Sequence, residues 1–505
     1  MGTGVPRGHL PGVECGSTRA RQPDASTPAY GGGVGEVLVV GAGPVGLTTA
    51  IELARRGVRC RIVERRPGPH DGTRACTIWQ RTLELFDLMG LPVDRLRALG
   101  TTFRHRVYDI FGAHEVVLDV SEPDSAHPEP LIVSQEHTEA MLVSHLASLG
   151  VSVEWGVPYS GGVEADWVVV AEGARSASRE RLGIGWAVSG FPGTQLVQVD
   201  ARCAPDLPGD PAAVRLFLGP AGSVGSLPLP DGRHRLFISR PGSGVGDPSV
   251  EEIRDWARAM TGSPVSLSDP RYNWRAKLYN GIADRYREGR YLLVGDAAHA
   301  VIPVNAQGMN TGIQDAVNLG WKLAAVIADK APESLVDSYE AERRPVAVGL
   351  LEQTRRSYWA GTDPAPDPDT MVQLLARNGK RRTLIGMGYP SSPLSVGAQV
   401  GSIRPGDRAP YPPGNPVAAG LAQAMRAGGW AVFAFGPSPA ASAAAATVAA
   451  GRARVLPLVF ADGAAYGLRP DEDGLFLVRP DGHVGFAGRL SDVDGAGSYL
   501  TTLLG

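Results

Sequence analysis

The sequence predicts an α/β protein in three parts: a parallel-sheet domain, an antiparallel sheet inserted into it, and a second α/β domain. Three observations lead to this prediction. A short apolar strand near the N-terminus runs directly into a glycine-rich turn and a helix. Short strands between Gly and Pro turns fill residues 181–280, and strands alternate with helices after residue 400. We therefore assign 35–180 and 281–395 to the first domain, 181–280 to the inserted sheet and 400–505 to the last domain.

The composition excludes several classes of protein. The chain has 505 residues, enough for two or three domains, and its 43% hydrophobic content is ample for a globular core. A net charge of −3 gives no reason to expect nucleic-acid or membrane partners, and no apolar run is long enough for a membrane span. The four cysteines, Cys15, Cys60, Cys76 and Cys203, lack metal-ligand or C-x-x-C spacing. They predict a cytoplasmic protein without a metal site.

Residues 1–34 are rich in Gly, Pro and Arg, and they lack the apolar stretch of a signal peptide. We expect them to form a disordered leader.

The strand Val37–Val40 and the turn that follows it predict a dinucleotide-binding unit. The turn has the form G-x-G-x-x-G, and a second strand ends on Glu64. In this motif Gly41 permits the tight turn, Gly43 allows a pyrophosphate to approach the backbone, and Gly46 allows the helix to pack against the strand. The helix N-terminus offers N–H groups to the phosphates. Glu64 is suited to accept hydrogen bonds from a ribose.

A second strand-and-turn unit occurs far along the chain. Strand Tyr291–Val294 is followed by Gly295 and Asp296, and Gln307-Gly308-Met309-Asn310 opens a long helix. An acid at a strand end beside a helix N-terminus suits a polyol chain, and a plain helix N-cap is the alternative role of the same carboxylate. Gln135 also stands at a helix start, where capping is the alternative to a binding role.

Both units together resemble those of the flavoprotein aromatic hydroxylases, the group typified by p-hydroxybenzoate hydroxylase. The resemblance covers residues 35–505 and is closest to polyketide hydroxylases with a C-terminal thioredoxin-like domain. Tyr339–Arg343 and Arg404–Asp407 match further motifs of that group. The implied fold is a Rossmann-like FAD-binding domain with an inserted antiparallel-sheet substrate domain and a thioredoxin-like domain. Residues 400–505 contain no cysteine, so we expect that domain to serve structure or oligomer contacts.

The resemblance implies FAD as the cofactor. Glu64 would hold the adenosine ribose, Arg74 would reach the phosphates, and Gln135 and Asp296 would contact the ribityl chain. The backbone at 308–310 would face the flavin pyrimidine. The full set of implied cofactor residues is Gly41, Gly43, Pro44, Val45, Gly46, Glu64, Arg65, Arg74, Gln135, Asp296, Pro303, Gly308, Met309 and Asn310.

The implied activity is that of a monooxygenase. NADPH or NADH would reduce FAD, and O2 would supply oxygen to a polyketide-type substrate, which we expect to be large and apolar. No catalytic side chain can be assigned, because the sequence contains no recognisable triad or metal-ligand cluster. A homodimer is compatible with the resemblance. The substrate candidates, for which ordinary core packing is the alternative, are Trp79, Phe217, Phe237, Trp274 and Arg275.

Three departures from the family pattern leave a second function open. Glu172-Gly173 stands where the family has Asp-Gly, Gly156–Asp166 replaces a longer hairpin, and Asn305-Ala306 replaces paired glycines. The alternative is a non-redox [4+2] cyclase that forms a decalin and uses FAD structurally. Such an enzyme would act by folding a polyene into a reactive conformer. A pure binding role is the third class, and the intact first motif argues against it.

Overall fold

The computed structural model describes residues 36–70, 75–162, 165–204, 213–219, 222–242, 244–328, 331–357, 367–377 and 383–504. The leader expected at 1–34 and the phosphate-binding candidate Arg74 lie outside these residues. All of the described residues belong to one structural unit of the chain, 34–505.

Strands and helices are numbered along the chain. The strands are β1 (Glu36–Val40), β2 (Arg59–Glu64), β3 (Thr77–Ile78), β4 (Thr101–Thr102), β5 (His105–Ile110), β6 (His114–Asp119), β7 (Leu131–Ile132), β8 (Val153–Trp155), β9 (Trp167–Val170), β10 (Trp186–Ala204), β11 (Val214–Gly219), β12 (Gly222–Pro228), β13 (His234–Pro241), β14 (Ser266–Ala283), β15 (Arg287–Glu288), β16 (Tyr291–Leu293), β17 (His299–Ala300), β18 (Val396–Gly397), β19 (Trp430–Phe435), β20 (Val455–Phe460), β21 (Gly474–Val478) and β22 (Val484–Gly488). The helices are α1 (Pro44–Ala54), α2 (Gln80–Leu88), α3 (Val93–Ala98), α4 (Gln135–Ser148), α5 (Ala177–Arg181), α6 (Val250–Thr261), α7 (Gly308–Ala328), α8 (Ser334–Ser357), α9 (Pro368–Arg377), α10 (Pro416–Arg426), α11 (Ser438–Ala449) and α12 (Val493–Leu504).

A six-stranded sheet in the order β15-β16-β9-β1-β2-β8 forms the first domain. The five strands from β16 to β8 are parallel. Residues Val37–Val40 are buried on both faces, as the continuous apolar run of a covered parallel strand requires. The carboxyl ends of parallel strands meet at one edge of a sheet. Gly41, Glu64, Ala171 and Val294 therefore lie together around one cavity.

An eight-stranded sheet in the order β17-β14-β10-β13-β12-β11-β5-β6 forms the second layer. Its centre is the long antiparallel pair β10 and β14. Helix α6 covers one face, where Ile253 and Ala257 pack against residues of β10 and β13. The opposite face lines the cavity. Strands β5 and β6, from the stretch that the sequence assigned to the first domain, extend this sheet through the parallel β11–β5 pairing.

The C-terminal part has a five-stranded sheet in the order β18-β22-β21-β19-β20 with helices α10, α11 and α12. A buried ionic cluster joins it to α7 and α8. Glu342 accepts hydrogen bonds from Arg479 at 2.6 and 2.8 Å and from Lys322 at 2.7 Å. Arg479 also donates to Asp481. Burial lowers the pKa of Lys322 to about 8, although Glu342 acts in the opposite direction.

The fold class predicted from the sequence is confirmed: a Rossmann-like domain, an antiparallel sheet and a C-terminal α/β part are all present. The domain boundaries stay a prediction, and the contribution of β5 and β6 to the second sheet is a feature that they do not describe.

Candidate functional site

The glycine-rich turn forms a cradle with room on one side only. A Cβ on Gly41, whose φ is +106°, would lie 2.4 Å from the carbonyl oxygen of Ala171. A Cβ on Gly46 would lie 1.9 Å from the carbonyl oxygen of Gly41. In contrast, a Cβ on Gly43 would meet nothing within 4 Å. Two glycines are therefore needed for packing, while the third leaves open space above the N-terminus of α1, where a phosphate can approach.

Glu64 lies at the end of β2 beside this cradle. Its carboxylate accepts hydrogen bonds from the backbone N–H groups of Ala42 at 2.8 Å and Arg66 at 3.0 Å. The Arg66 guanidinium lies 3.2 Å away. Burial acts to raise the pKa of Glu64, but these hydrogen bonds and the Arg66 charge outweigh it and hold the pKa below its usual value. The side chain is an ionised acceptor that suits the hydroxyl groups of a ribose. The neighbouring Arg65 is exposed and also lines the cavity.

Asp296 comes from the other end of the chain to the same cavity. It stands in the 3₁₀ turn Gly295–Ala297 after β16. A Cβ on Gly308, the first residue of α7, would lie 3.9 Å from Asp296 Oδ1. The carboxylate thus lies beside the N-terminus of α7, whose first N–H groups have no partner within the helix. Pro303, Gly308 and Met309 line the adjacent wall.

Asn310 supports this wall from behind rather than facing the cavity with its side chain. Its Oδ1 accepts from the backbone N–H of Trp79 at 2.9 Å, and its Nδ2 donates to the carbonyls of Thr77 at 2.9 Å and Ala306 at 2.8 Å. The residue is fully buried. Its side chain fixes the start of α2 against the turn before α7.

A buried charge network holds the Asp296 turn in place. Asp315 on α7 accepts from the Gly295 N–H at 3.2 Å, from His299 Nε2 at 2.6 Å and from Arg343 Nε at 2.6 Å. Burial acts to raise the pKa of Asp315, but His299 and Arg343 hold it below its usual value. His299 and Arg343 therefore position the cofactor turn and do not line the cavity.

Gln135 begins α4 at the opposite wall. Its Oε1 accepts from the Ala75 N–H at 3.0 Å, and its Nε2 donates to Glu139 at 2.8 Å. Gln135 and Glu139 both line the cavity. The N-cap residue of α4 is Ser134, and Gln135 is the first residue of the helix.

One continuous cavity of about 640 Å³ joins the cofactor cradle to the eight-stranded sheet. Of the substrate candidates, Trp79, Phe237 and Trp274 line it. Trp79 and Phe103 form an edge-to-face pair with ring centroids 6.1 Å apart. The chamber beyond the cradle is therefore walled by aromatic rings, which suit a large flat or apolar ligand.

The other two substrate candidates, Phe217 and Arg275, do not line this cavity. Phe217 packs in the core under α6, and Arg275 donates to the Gly246 carbonyl and lies 3.6 Å from Glu252 of α6. Side chains alternate between the two faces of a strand. Phe217 and Arg275 lie on the helix-covered face, whereas Trp274 points to the cavity.

Several polar residues that line the chamber were not among the site residues predicted from the sequence. Arg235 lines it and pairs with Asp200 at 2.7 and 2.8 Å, and Gln198 and Arg106 line it as well. The two-residue period of a strand could have found Arg235, since it precedes Phe237 by two positions. Arg106 could not be found in this way, because nothing in the sequence shows that β5 joins this sheet.

Two of the departures from the family pattern, at Glu172 and at Asn305-Ala306, can be described in structural terms. Glu172 accepts from Ser176 Oγ at 2.6 Å and from the Ser178 N–H at 2.8 Å, and so stabilises the start of α5. Ala306 has φ +53°, a left-handed conformation that costs a residue with a Cβ about 1–2 kcal/mol. Asn305 is buried and lines the cavity.

These residues fit FAD: an open phosphate cradle, an ionised acceptor for a ribose, and an acid beside a helix N-terminus line one cavity. Within the described ranges, no group of His, Cys, Asp or Glu side chains is arranged to hold a metal ion. Nor does any helix of the described part combine the length and apolarity needed to cross a membrane.

Comparison with known proteins gives the class. A family model described as "FAD binding domain" matches residues 35–162 and 160–354. The chain is 33% identical to 6-methylpretetramide 4-monooxygenase of Streptomyces rimosus, over 90% of this chain and 91% of the relative. The fold matches the OxyS anhydrotetracycline hydroxylase from Streptomyces rimosus with a TM-score of 0.72 and 30% identity, covering 93% of this chain and 99% of that one. It also matches the Diels-Alderase PyrE3 of pyrroindomycin biosynthesis, with a TM-score of 0.66, 25% identity and coverage of 93% and 99%.

The chain is therefore an FAD-binding enzyme. It belongs to the family of FAD-dependent monooxygenases that these matches define, and FAD is its cofactor.

Proposed function

We propose that this enzyme hydroxylates, or otherwise inserts oxygen into, a large polycyclic polyketide. The observation that carries this proposal is the continuous cavity of about 640 Å³, in which the FAD cradle opens directly into an aromatic chamber. An oxygenating flavin must act on a ring held against its edge and shielded from water, and a continuous chamber supplies that arrangement. The polyketide class rests on the likeness to enzymes named for tetracycline precursors.

Bound FAD would supply the oxygen-transfer chemistry, with electrons from NADPH or NADH. The chain's own residues would bind and orient. Glu64 and the Gly43 backbone would hold the adenosine end, and Asp296 and Gln135 would hold the ribityl chain. The N-terminal N–H groups of α7 would stabilise negative charge on the reduced ring. Trp79, Phe237 and Trp274 would fix the substrate plane.

The non-redox cyclase remains a second proposal because of one specific observation. Asn305 and Ala306 add side chains at the turn before α7, where paired glycines would leave more room. Side chains at this turn would narrow the space available for flavin movement and for oxygen. The likeness to a Diels-Alderase of similar length supports keeping this alternative.

We also propose that the enzyme works in the cytoplasm as a homodimer and has no nucleic-acid or membrane partner. The balanced charge and the absence of motifs for such partners in the sequence support the second statement. Chromatography with light scattering would measure the oligomeric state.

Labelled oxygen tests the main proposal. The FAD-loaded enzyme is incubated with NADPH or NADH, isotopically labelled O2 and either 6-methylpretetramide or anhydrotetracycline. We expect a product that carries one labelled oxygen atom and depends on the reduced nucleotide. The cyclase alternative predicts instead that a linear polyene is converted without nucleotide or O2, and that no labelled oxygen is incorporated.

A further inference from the structure

Asn305 brings to the cavity wall a buried polar group that the fold does not use. The residue is only 4% exposed and lines the cavity. Within the described part of the chain, its Nδ2 has no hydrogen-bond partner. A buried amide N–H without a partner is costly, and native proteins rarely retain one without a reason. This donor therefore points to a ligand.

The surrounding turn holds this amide in a fixed place. The Asn305 carbonyl accepts from Trp79 Nε1 at 3.0 Å. The next carbonyl, that of Ala306, accepts from Asn310 Nδ2 at 2.8 Å. Ala306 keeps a left-handed φ of +53° at this position. The backbone on both sides of the amide is anchored to buried side chains, so the donor is preorganised for binding.

Arg106 determines which atom of the amide is available. Its Nη1 lies 3.5 Å from Asn305 Oδ1. The reversed amide would set two donors against each other, so the Arg106 charge favours the orientation that leaves Nδ2 available. Arg106 lines the same wall, is 5% exposed and lies over the Tyr108 ring at 5.4 Å. The wall thus combines a neutral donor with a permanent positive charge.

We propose that Asn305 Nδ2 and the Arg106 guanidinium recognise two neighbouring oxygen atoms of the substrate, such as a phenol beside a ring carbonyl or an enolised β-dicarbonyl. This inference rests on the proposed function and names the substrate class of that site. A cation and an N–H donor favour oxygens that carry negative charge. Trp79 and Phe103 flank the same chamber and suit the flat ring that bears those oxygens. Asn305 is thus a specificity residue of the chamber.

Two probes that differ only in these oxygens test the inference. The dissociation constants of 1,8-dihydroxyanthraquinone and of anthraquinone are measured by flavin absorbance in the FAD-loaded enzyme, without reduced nucleotide. We expect the wild type to prefer the dihydroxy probe. In N305A the preference should fall up to about tenfold through loss of one hydrogen bond between neutral groups. In the isosteric N305D, which keeps a partner for Arg106 but loses the donor, it should fall further.

Asn273 provides the matched control, because it donates to the Pro248 carbonyl at 2.9 Å and does not line the cavity. N273A should keep the wild-type preference. The inference is overturned if N305A and N305D keep the full preference, or if the wild type binds both probes equally. These titrations involve no turnover, so they are independent of the labelled-oxygen experiment. A failure to incorporate labelled oxygen would count against the proposed function. It would not change the ratio of the two probe dissociation constants, which tests the inference about Asn305.

Discussion

The glycine cradle yields a paired prediction, because Gly43 and Gly46 lie three residues apart in the same turn but have opposite surroundings. In G46A the new methyl group would lie 1.9 Å from the Gly41 carbonyl oxygen and 3.2 Å from the Ala171 side chain. The strand, the turn and α1 must then separate. In G43A the methyl group meets no protein atom within 4 Å. It occupies only the space through which a pyrophosphate reaches the backbone.

The expected magnitudes follow from these surroundings. Overpacking of this kind costs about 1–3 kcal/mol, so G46A should lose that much stability without cofactor. G43A should be as stable as the wild-type apoprotein. G43A should instead weaken FAD binding, because loss of one charge-assisted hydrogen bond to the phosphate costs about 1.5–3 kcal/mol of binding free energy. The FAD dissociation constant of G43A should therefore rise about 10- to 150-fold.

Two measurements on the same samples separate these effects. Urea denaturation of the apoproteins gives the free energy of unfolding, and titration with FAD by fluorescence quenching gives the dissociation constant. The account of the cradle is refuted if G43A binds FAD as tightly as the wild type does. It is equally refuted if G43A loses as much apoprotein stability as G46A.

Three further predictions concern the turn before α7 and the buried ionic cluster. A306G should raise the free energy of unfolding by about 0.5–1 kcal/mol, because relief of the left-handed φ exceeds the added chain entropy. N310A should lower that free energy by about 2–4 kcal/mol, because three buried backbone groups lose their partners. For Lys322, burial lowers the folded-state pKa to about 8, below an unfolded value of about 10.5. The unfolded chain then binds more protons, so the stability of wild type minus that of K322M should increase as the pH rises from about 8 to about 10.

Chemical denaturation at matched FAD occupancy measures all three predictions. The prediction for A306G is contradicted if this variant is less stable than the wild type while its FAD affinity is unchanged. For Asn310 the comparison is N415A, which removes the cap of α10 and should cost only about 1 kcal/mol. If N310A lowers the free energy of unfolding by only as much as N415A does, the Asn310 side chain does not hold the start of α2 against the turn before α7. A stability difference between wild type and K322M that falls with rising pH would contradict the burial of that lysine.

The cofactor half of the site could be predicted from the sequence because local geometry determines it. One strand runs into G-x-G-x-x-G and the next ends on Glu64. The geometry of this strand–helix–strand unit alone places both at one edge of the sheet. Asp296 follows the same rule after β16. Among the described candidates for cofactor binding, two do not line the cavity: Gly46, which lies against the Gly41 carbonyl, and Asn310. Its backbone position at the start of α7 agrees with the prediction, while its side chain serves the turn.

The substrate half could not be predicted to the same depth because it depends on long-range pairing. Phe217 and Phe237 look alike in the sequence, and only the position of α6 decides which face of the sheet is core. Arg106 enters the chamber because β5 pairs with β11, more than one hundred residues later in the chain. The ion pair between Arg479 and Glu342 could not be predicted from the sequence either, since its two residues are 137 positions apart in the chain.

The central claim is that FAD, held by the Gly41–Glu64 cradle and Asp296, is an active redox cofactor next to a polyketide-binding chamber. Anaerobic mixing of the FAD-loaded enzyme with NADPH or NADH in the presence of anhydrotetracycline tests it most directly. We predict that the visible absorbance of the oxidised flavin disappears and returns when O2 is admitted, together with oxygenated product. Flavin that stays oxidised under these conditions, while the same enzyme converts a linear polyene without nucleotide or O2, would contradict the claim.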